Sequence, residues 1–328
     1  MTVGLGLVGT GWWGKVLTDA AAESGEARVV SCFARTKDNR DAFAAANGCT
    51  SADSYEAILS DPAVEGIVIA TTHSSHLGLI ETAAAAGKPI LVEKPLTLTL
   101  ADARRAVEVT AAAGVPLQVG HQRRRSAANR AIKQMIDAGD LGEIQAVETN
   151  QSLPNAQTHP DQAWRRIRDE SPLGGMTSLG VHKIDTMHYL AGPMKRVFTF
   201  TKNTMAKPEM DEATVVAVEF ESGALGTLIT SFVVPVISRV SVYGFNGTAH
   251  NEADGTKLLT QTVDGGPVRT EVELTPVDPI ADQMAEFAQV VRGEAQPETG
   301  GKEGLAVVAV MEAMIKSADE ARPVDVVY

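Results

Sequence analysis

The chain has 328 residues, about twice the length of a typical single domain, and 44% of them are apolar while 21% are charged. This ordinary globular composition excludes a disordered, collagen-like or membrane-embedded chain. The chain has 29 lysine and arginine residues and 41 aspartate and glutamate residues, which gives a net charge of −12. This charge argues against nucleic acid as a partner, because binding to phosphates needs clustered positive charge.

The two cysteines, Cys32 and Cys49, form no disulfide framework. The opening stretch MTVGLGLVGTGWWG has no basic segment followed by a long apolar run, so it predicts a first structural element and not a signal peptide. No stretch approaches the about 20 continuous apolar residues of a membrane span. We therefore expect a cytoplasmic protein with no membrane partner.

The first 121 residues alternate short apolar runs with alanine-rich helical stretches. Because each run is almost continuously apolar, as in parallel strands covered on both faces, the pattern predicts an α/β fold with a doubly wound parallel sheet. Helices are predicted over His76 to Ala86 and Leu100 to Ala113, each followed by glycine. The predicted strands are Val3 to Val8, Ala27 to Phe33, Gly66 to Ala70, Pro89 to Glu93 and Val115 to Val119.

The second half of the chain has a different pattern. After a helix predicted from Ala127 to Ala138, β-branched and partly alternating runs are separated by turn pairs such as Asn246-Gly247, which is typical of a large, mostly antiparallel open sheet. Two late helices are predicted, over Ile280 to Val291 and Leu305 to Ser317. We expect a domain of residues 1–121 and a second of 122–328. One face of the second sheet would stay free for a homodimer or homotetramer contact. The predicted strands there are Arg196 to Thr201, Ala213 to Phe220, Ala224 to Phe232 and Ser238 to Tyr243.

A glycine-rich turn follows the first predicted strand and opens a helix. Its glycines allow a tight turn and a close approach of the backbone to a pyrophosphate, while the helix N-terminus offers unpaired N–H groups. An ordinary tight turn is the alternative, but the position at the first strand–helix junction favours dinucleotide binding. The turn consists of Gly9, Thr10, Gly11, Trp12, Trp13 and Gly14.

The end of the second predicted strand indicates which dinucleotide binds. Enzymes that use NAD usually place an acidic residue there to hold the ribose hydroxyls, and this chain has Ala34 at that position. Arg35 and Thr36 follow, and an arginine can grip a 2′-phosphate. The pattern therefore predicts that the protein binds NADP, with NAD as a possible second cofactor. The alternative is that Arg35 is a surface residue unrelated to the cofactor.

A lysine stands at the end of the fourth long strand. Lys94 follows Glu93 and precedes Pro95, and ligands of open α/β sheets bind at the carboxyl ends of the strands. A partly desolvated lysine can serve in proton transfer or hold a substrate oxygen. The alternative is a solvated lysine paired with Glu93.

A later helical segment carries His182 and Asp185, three residues apart and therefore on one face. A carboxylate beside an imidazole orients it and favours its protonated form, which suits an acid–base group. A structural core histidine is one alternative. A metal site of His182, Asp185 and His188 is another, disfavoured because no further ligand stands at metal spacing, so we expect no metal.

Together these residues resemble the Gfo/Idh/MocA oxidoreductase family. The resemblance covers nearly the whole chain, through the glycine turn, the Ala70 to His76 stretch, Glu93-Lys94-Pro95, the Gly120 to Arg124 stretch and the Gly-x-His-x-x-Asp helix. It implies a Rossmann domain, a second α/β domain and reversible NAD(P)-dependent oxidation of a sugar, cyclitol or related hydroxy compound. Lys94 matches the catalytic lysine of the family and His182 its proton-transfer histidine. Cofactor contacts are implied for Thr71, His76, Glu93, Lys94 and Gln122.

The family often carries an aspartate four residues before the histidine, where this chain has Ser178. That departure leaves Asp185 as the expected carboxylate partner of His182. Residues expected to contact the substrate are Lys94, Arg124, Trp164, Arg165, Ser178 and His182.

Two other functions stay open. One is an acidic or aromatic substrate, such as a dihydrodiol or a carboxylated hydroxy compound, and Arg124, Arg125 and Arg165 would clamp the carboxylate of an acidic one. A redox sensor that binds dinucleotide without chemistry is the non-enzymatic alternative.

Overall fold

The computed structural model describes residues 2–155, 167–203 and 210–328. The chain forms two compact units, the first of Met1–His121 with Asp278–Val308, the second of Gln122–Val277 with Ala309–Tyr328. Trp164 and Arg165 lie outside the described residues. None of the helices in the described ranges is long and apolar enough to cross a bilayer.

Side-chain caps mark the start of some of the helices. Thr99 Oγ1 accepts a hydrogen bond of 3.1 Å from the amide of Asp102, and Asp278 Oδ1 accepts one of 2.7 Å from the amide of Ile280, so each residue caps the helix that follows it. In the described ranges the helices are α1 Trp12–Ser24, α2 Lys37–Asn47, α3 Tyr55–Ser60, α4 His76–Ala85, α5 Leu100–Ala112, α6 Ala127–Asp137, α7 Val181–Ala191, α8 Pro279–Val291 and α9 Gly301–Glu320.

The first unit contains a six-stranded parallel sheet. Its strand order is 3-2-1-4-5-6, the doubly wound arrangement that the apolar runs predict. The strands are β1 Val3–Val8, β2 Ala27–Phe33, β3 Thr50–Ser51, β4 Gly66–Ile69, β5 Ile90–Val92 and β6 Leu117–Val119. The prediction of a Rossmann-type fold is confirmed, although the last three strands are shorter than the apolar runs that mark them.

A late segment of the chain completes the core of the first unit. Met284 and Phe287 on α8 are fully buried and pack in one apolar cluster with Leu5 and Leu7 of β1. Gly66 allows this packing, because a Cβ there would lie 2.8 Å from a methyl carbon of Val291. Residues 278–308 therefore belong to this unit, whereas the sequence pattern alone grouped them with the second half. The physical reason is that apolar periodicity shows which helix face is buried without showing which sheet buries it.

The second unit is built on a nine-stranded sheet that is antiparallel except for one parallel pair. The strands are β7 Ile144–Ser152, β8 Met194–Lys202, β9 Ala213–Phe220, β10 Leu225–Ser231, β11 Ile237–Gly244, β12 Gly247–Glu252, β13 Lys257–Thr262, β14 Thr270–Val272 and β15 Val324–Asp325. Their order is 14-13-12-11-7-10-9-8-15, and β7 and β10 run parallel. The mostly antiparallel sheet is as predicted, and helix α7 packs on β7.

Candidate functional site

The glycine turn after β1 has the shape of a phosphate cradle. Gly9 has a φ of 106°, which only glycine adopts readily, and a Cβ on it would lie 2.3 Å from the carbonyl oxygen of Ala70. A Cβ on Gly14 would lie 2.1 Å from the carbonyl oxygen of Gly9, so the helix packs against the turn. Gly11, at the N-cap of α1, has no atom within 4 Å of its added Cβ. The turn therefore leaves open space beside the first amides of α1, as a dinucleotide pyrophosphate requires.

The end of β2 carries one more cation than the sequence reasoning identified. Arg35 and Thr36 are exposed there. Arg40 on α2 is 7% exposed and points back at the strand, with Nη1 donating to the carbonyl oxygen of Ala34 over 3.5 Å. Its Nη2 donates to Oδ1 of Asp53 over 2.5 Å. The Arg40 guanidinium therefore lies beside Ala34, the position where an NAD enzyme would place an acid, and Arg35 follows Ala34 in the chain.

At the end of β5, Lys94 is half-buried and follows a buried carboxyl group. Glu93 is 5% exposed, and its Oε2 accepts a 3.4 Å hydrogen bond from the amide of Lys94. Burial raises the pKa of Glu93, and the Lys94 ammonium and the Trp13 indole offset part of that rise. Gly120 makes room for the carboxyl group, since a Cβ there would lie 2.6 Å from Oε1 of Glu93.

His76 supports the backbone that follows Lys94. The ring is fully buried, and its Nδ1 lies 3.0 Å from the carbonyl oxygen of Pro95 and 3.3 Å from that of Leu96. Carbonyl oxygens only accept, so Nδ1 carries the hydrogen. Thr71, after β4, shares a 2.7 Å hydrogen bond with the hydroxyl of Ser75. Cofactor contacts of His76 and Thr71 stay predictions.

In the second unit, His182 lies in the first turn of α7 and is 5% exposed. A π-helical turn, Met176–Gly180, leads into this helix and includes the half-buried Ser178. Such turns occur often at functional sites because they re-aim the side chains beside them. Gly180 lets the Met176 side chain pack closely on this turn, since a Cβ there would lie 2.0 Å from the sulfur of Met176.

Asp185 is bound by an arginine that the sequence reasoning assigned to the substrate. Arg124 Nε donates to Oδ2 of Asp185 over 3.0 Å and Nη2 donates to Oδ1 over 2.5 Å. Both side chains are buried, and the Arg124 guanidinium lies 5.0 Å from the ring centroid of Tyr189. This two-point ion pair fixes Asp185 on α7 against the 3₁₀ turn of Gln122–Arg125.

Gln122, in the same turn, is 4% exposed, and its amide oxygen has no hydrogen-bond partner among the described residues. A carboxamide N–H of a nicotinamide would satisfy such an oxygen. No three His, Cys, Asp or Glu side chains in residues 2–155, 167–203 and 210–328 converge in a way that could hold a metal. Of the three considered above, Asp185 pairs with Arg124, and Nε2 of His188 lies 3.3 Å from the hydroxyl of Tyr328.

Both halves of the chain match one oxidoreductase family. Residues 3–121 match its NAD-binding Rossmann fold, and residues 129–250 match the GFO/IDH/MocA C-terminal domain. Similar curated proteins are 1,5-anhydro-D-fructose reductase of Ensifer adhaerens, 27% identical over 95% of each chain, and inositol 2-dehydrogenase of Rhizobium meliloti strain 1021, 26% identical over 99% of this chain and 100% of that protein.

A similar solved structure is a proposed NADPH-dependent oxidoreductase of Desulfitobacterium hafniense DCB-2. It is 31% identical, covers 99% of this chain and 98% of its own, and superposes with a TM-score of 0.94. The family that the glycine turn, Glu93-Lys94-Pro95 and the His182 helix predicted is confirmed. The chain belongs to the Gfo/Idh/MocA family of oxidoreductases.

Proposed function

We propose that this protein is an NADP-preferring oxidoreductase that acts in both directions on a CH–OH group of a sugar, polyol or related hydroxy or keto compound. The observation that carries the proposal is the glycine turn, whose open space at Gly11 and close packing at Gly9 and Gly14 fit a dinucleotide. Two relatives that match over nearly their full length are, by name, a sugar reductase and a cyclitol dehydrogenase, which supports the substrate class.

The preference for NADP is supported by the charge at the end of β2. Ala34 offers no acceptor to a free 2′-hydroxyl, while Arg35 is exposed there and Arg40 places a guanidinium against the carbonyl of Ala34. A 2′-phosphate would meet Arg35 and Arg40 here, with no carboxylate on the strand end itself. Asp53 neutralises part of the charge of Arg40, so Arg35 would make the direct contact and Arg40 would raise the local potential.

The residues expected to hold the dinucleotide are the amides of Gly11 and Trp12 for the pyrophosphate, Arg35 and Thr36 for the 2′-phosphate, and Gln122 for the carboxamide. When bound, the nicotinamide group supplies or accepts the hydride. Lys94 would donate a hydrogen bond to the oxygen of the reacting carbon and stabilise the negative charge that develops there. His182 would take the hydroxyl proton during oxidation and return it during reduction.

Asp185 acts as a positioning residue in this proposal. Because Arg124 binds its carboxylate at two points, the main contribution of Asp185 is to hold α7 in place. The same ion pair occupies two donors of Arg124. A substrate carboxylate would have to compete with Asp185 for them, which favours neutral sugars and polyols over acidic substrates.

The second sheet also supports a proposed contact between copies of the chain. Large apolar side chains are exposed on β8, β9 and β10, namely Phe200 (60%), Val215 (42%) and Leu225 (60%). Burying such a patch stabilises an oligomer, so we propose a homodimer or homotetramer formed through this sheet. The free thiols of Cys32 and Cys49 fit a reducing, cytoplasmic location.

The test is a dehydrogenase screen of neutral sugars, cyclitols, dihydrodiols and sugar acids, each with NADP and with NAD, followed at the absorbance of the reduced nicotinamide. We expect turnover of a neutral sugar or polyol, faster with NADP. Turnover confined to acidic or aromatic substrates would overturn the substrate class. Binding of the dinucleotide without turnover of any substrate would instead support a sensor.

A further inference from the structure

The helix that carries His182 also carries a buried lysine at the next position. Lys183 lies in the first turn of α7 and is 3% exposed. Its Nζ donates a 3.4 Å hydrogen bond to Oγ of Ser238 on β11, and forms no other hydrogen bond within the described residues. An ammonium group has three N–H donors, so a charged Lys183 would leave two of them unsatisfied in a buried place.

Ser238 connects Lys183 to an ion pair. The Ser238 hydroxyl donates to Oδ1 of Asp254 over 2.6 Å, and Nη1 of Arg123 donates to the same oxygen. Asp254 has a φ of 57° and the preceding Ala253 a φ of 49°, a left-handed backbone that residues other than glycine seldom adopt. This strained turn places the Asp254 carboxylate within hydrogen-bond distance of Arg123 and Ser238.

The strained turn is fastened to the start of α6. A Cβ on Gly255 would lie 2.6 Å from Cβ of Ser126, so only glycine permits the approach. Asn129 donates a 2.8 Å hydrogen bond to the carbonyl oxygen of Arg123 and accepts one of 2.7 Å from Asn251. The position of Asp254 relative to Arg123 is therefore set by the surrounding fold.

These contacts close a ring around the first turn of α7. One side runs from Lys183 through Ser238 and Asp254 to Arg123, and the other runs from the adjacent Arg124 to Asp185, two residues beyond Lys183 on the same helix. The ring contains two guanidinium groups and two carboxylates, so it is electrically balanced when Lys183 is neutral. A protonated Lys183 would add one unbalanced positive charge.

Two features of the fold disfavour that charge. Burial and the neighbouring Arg123 lower the pKa of Lys183 from 10.5 to about 7, and Asp254 opposes the shift only in part. The charged groups that face Lys183 are Arg123 and Asp254, and an arginine keeps its charge at any ordinary pH. Burial alone would raise the pKa of Asp254, but the hydrogen bonds from Arg123 and Ser238 outweigh burial and lower this pKa.

We propose that Lys183 is a positioning residue that works as a neutral amine, closing this ring so that α7 and the Gln122–Arg125 turn hold His182 in place, and that protonation of Lys183 slows turnover at mildly acidic pH. This inference rests on the proposed role of His182. It adds a residue to the reaction that does not touch substrate or cofactor.

The test compares pH profiles of kcat for the wild type, Lys183→Met and Lys183→Arg. If only the neutral form is competent, a pKa of about 7 leaves about one molecule in eleven active at pH 6 and ten in eleven at pH 8. The ratio of kcat for Lys183→Met to that of the wild type should therefore be about tenfold higher at pH 6 than at pH 8. Lys183→Arg, permanently charged, should be slow at both. Lys257→Met, which removes a surface lysine of the same unit, is the control.

A second measurement is independent of activity. In protein labelled with ¹³C at Cε of lysine, the signal that disappears in Lys183→Met should titrate near pH 7. A signal that titrates near pH 10.5, or a kcat ratio that stays constant across pH, would overturn the proposal. Absence of turnover with any sugar would contradict the proposed function, and the NMR titration would still decide the state of Lys183.

Discussion

Replacement of Lys183 by methionine should stabilise the folded protein, and more so at low pH. Lys183 is 3% exposed, and its pKa falls from 10.5 to about 7 on folding. Between these pH values the unfolded chain binds one more proton than the folded chain, so the stability of the wild type rises with pH. Below pH 7 both states are protonated and the full cost of burying the charge is present.

The magnitude follows from the size of the shift. A shift of one pH unit in the window is worth a little over 1 kcal/mol, so the cost of the buried charge should shrink by about 2–3 kcal/mol between pH 6 and pH 9. The measurement is the free energy of unfolding in urea for Lys183→Met and the wild type at both pH values. Other titrating groups cancel in the difference.

Lys257→Met serves as the control, because its side chain is 43% exposed and pairs with Glu271 at the surface. Its effect on the free energy of unfolding should be below about 1 kcal/mol at both pH values. If Lys183→Met changed the free energy of unfolding by the same amount at pH 6 and pH 9, the lysine would keep its charge in the folded state. The charge-balance reasoning would then be wrong.

Three further results are expected. Wild-type protein should bind NADPH more tightly than NADH in a fluorescence titration, and Ala34→Asp should move the ratio of Kd values toward NADH by at least about tenfold through repulsion of the 2′-phosphate; equal affinities in the wild type would refute the NADP preference. Lys94→Ala and His182→Ala should each lower kcat by about 10²–10⁴, and His182→Ala should leave NADPH affinity unchanged; normal turnover of His182→Ala at every pH would remove that residue from the mechanism. Arg124→Met should cost about 3–5 kcal/mol of unfolding free energy by leaving the Asp185 charge buried, and adding Asp185→Leu should restore most of it; no recovery in the double variant would show that the pair is not coupled.

The elements that local patterns define could be predicted from the sequence. The parallel strands are apolar over their whole length, and the turn Gly9 to Gly14 follows the first of them directly, so the fold and the cradle depend on residues adjacent in the chain. The His182 helix could be recognised for the same reason. The strands β12, β13 and β14 could not, because they are short and polar and only the turns between them carry a signal.

Contacts between distant segments explain what the sequence could not show. Arg40 follows Ala34 by six positions, and nothing in its spacing indicates that the guanidinium folds back onto the strand end, since this depends on how α2 packs. From the sequence, Lys183 cannot be distinguished from a lysine on the exposed face of a helix. Its burial follows from the position of β11, which lies 55 residues further along the chain at Ser238.

The run Arg123-Arg124-Arg125 has a different role in the structure from the one that its sequence suggests. In the sequence alone, three consecutive arginines resemble an anion-binding patch, and Arg124 is predicted to contact the substrate. In the folded chain Arg123 pairs with Asp254, 131 positions away, and Arg124 pairs with Asp185, 61 positions away. The positive charge of both residues is therefore paired within the fold, at the surface for Arg123 and in the interior for Arg124, which fastens the turn to α7. A ligand anion that took the two donors of Arg124 now bound to Asp185 would break the contact that holds the His182 helix, so we expect a neutral substrate to be favoured over an acidic one.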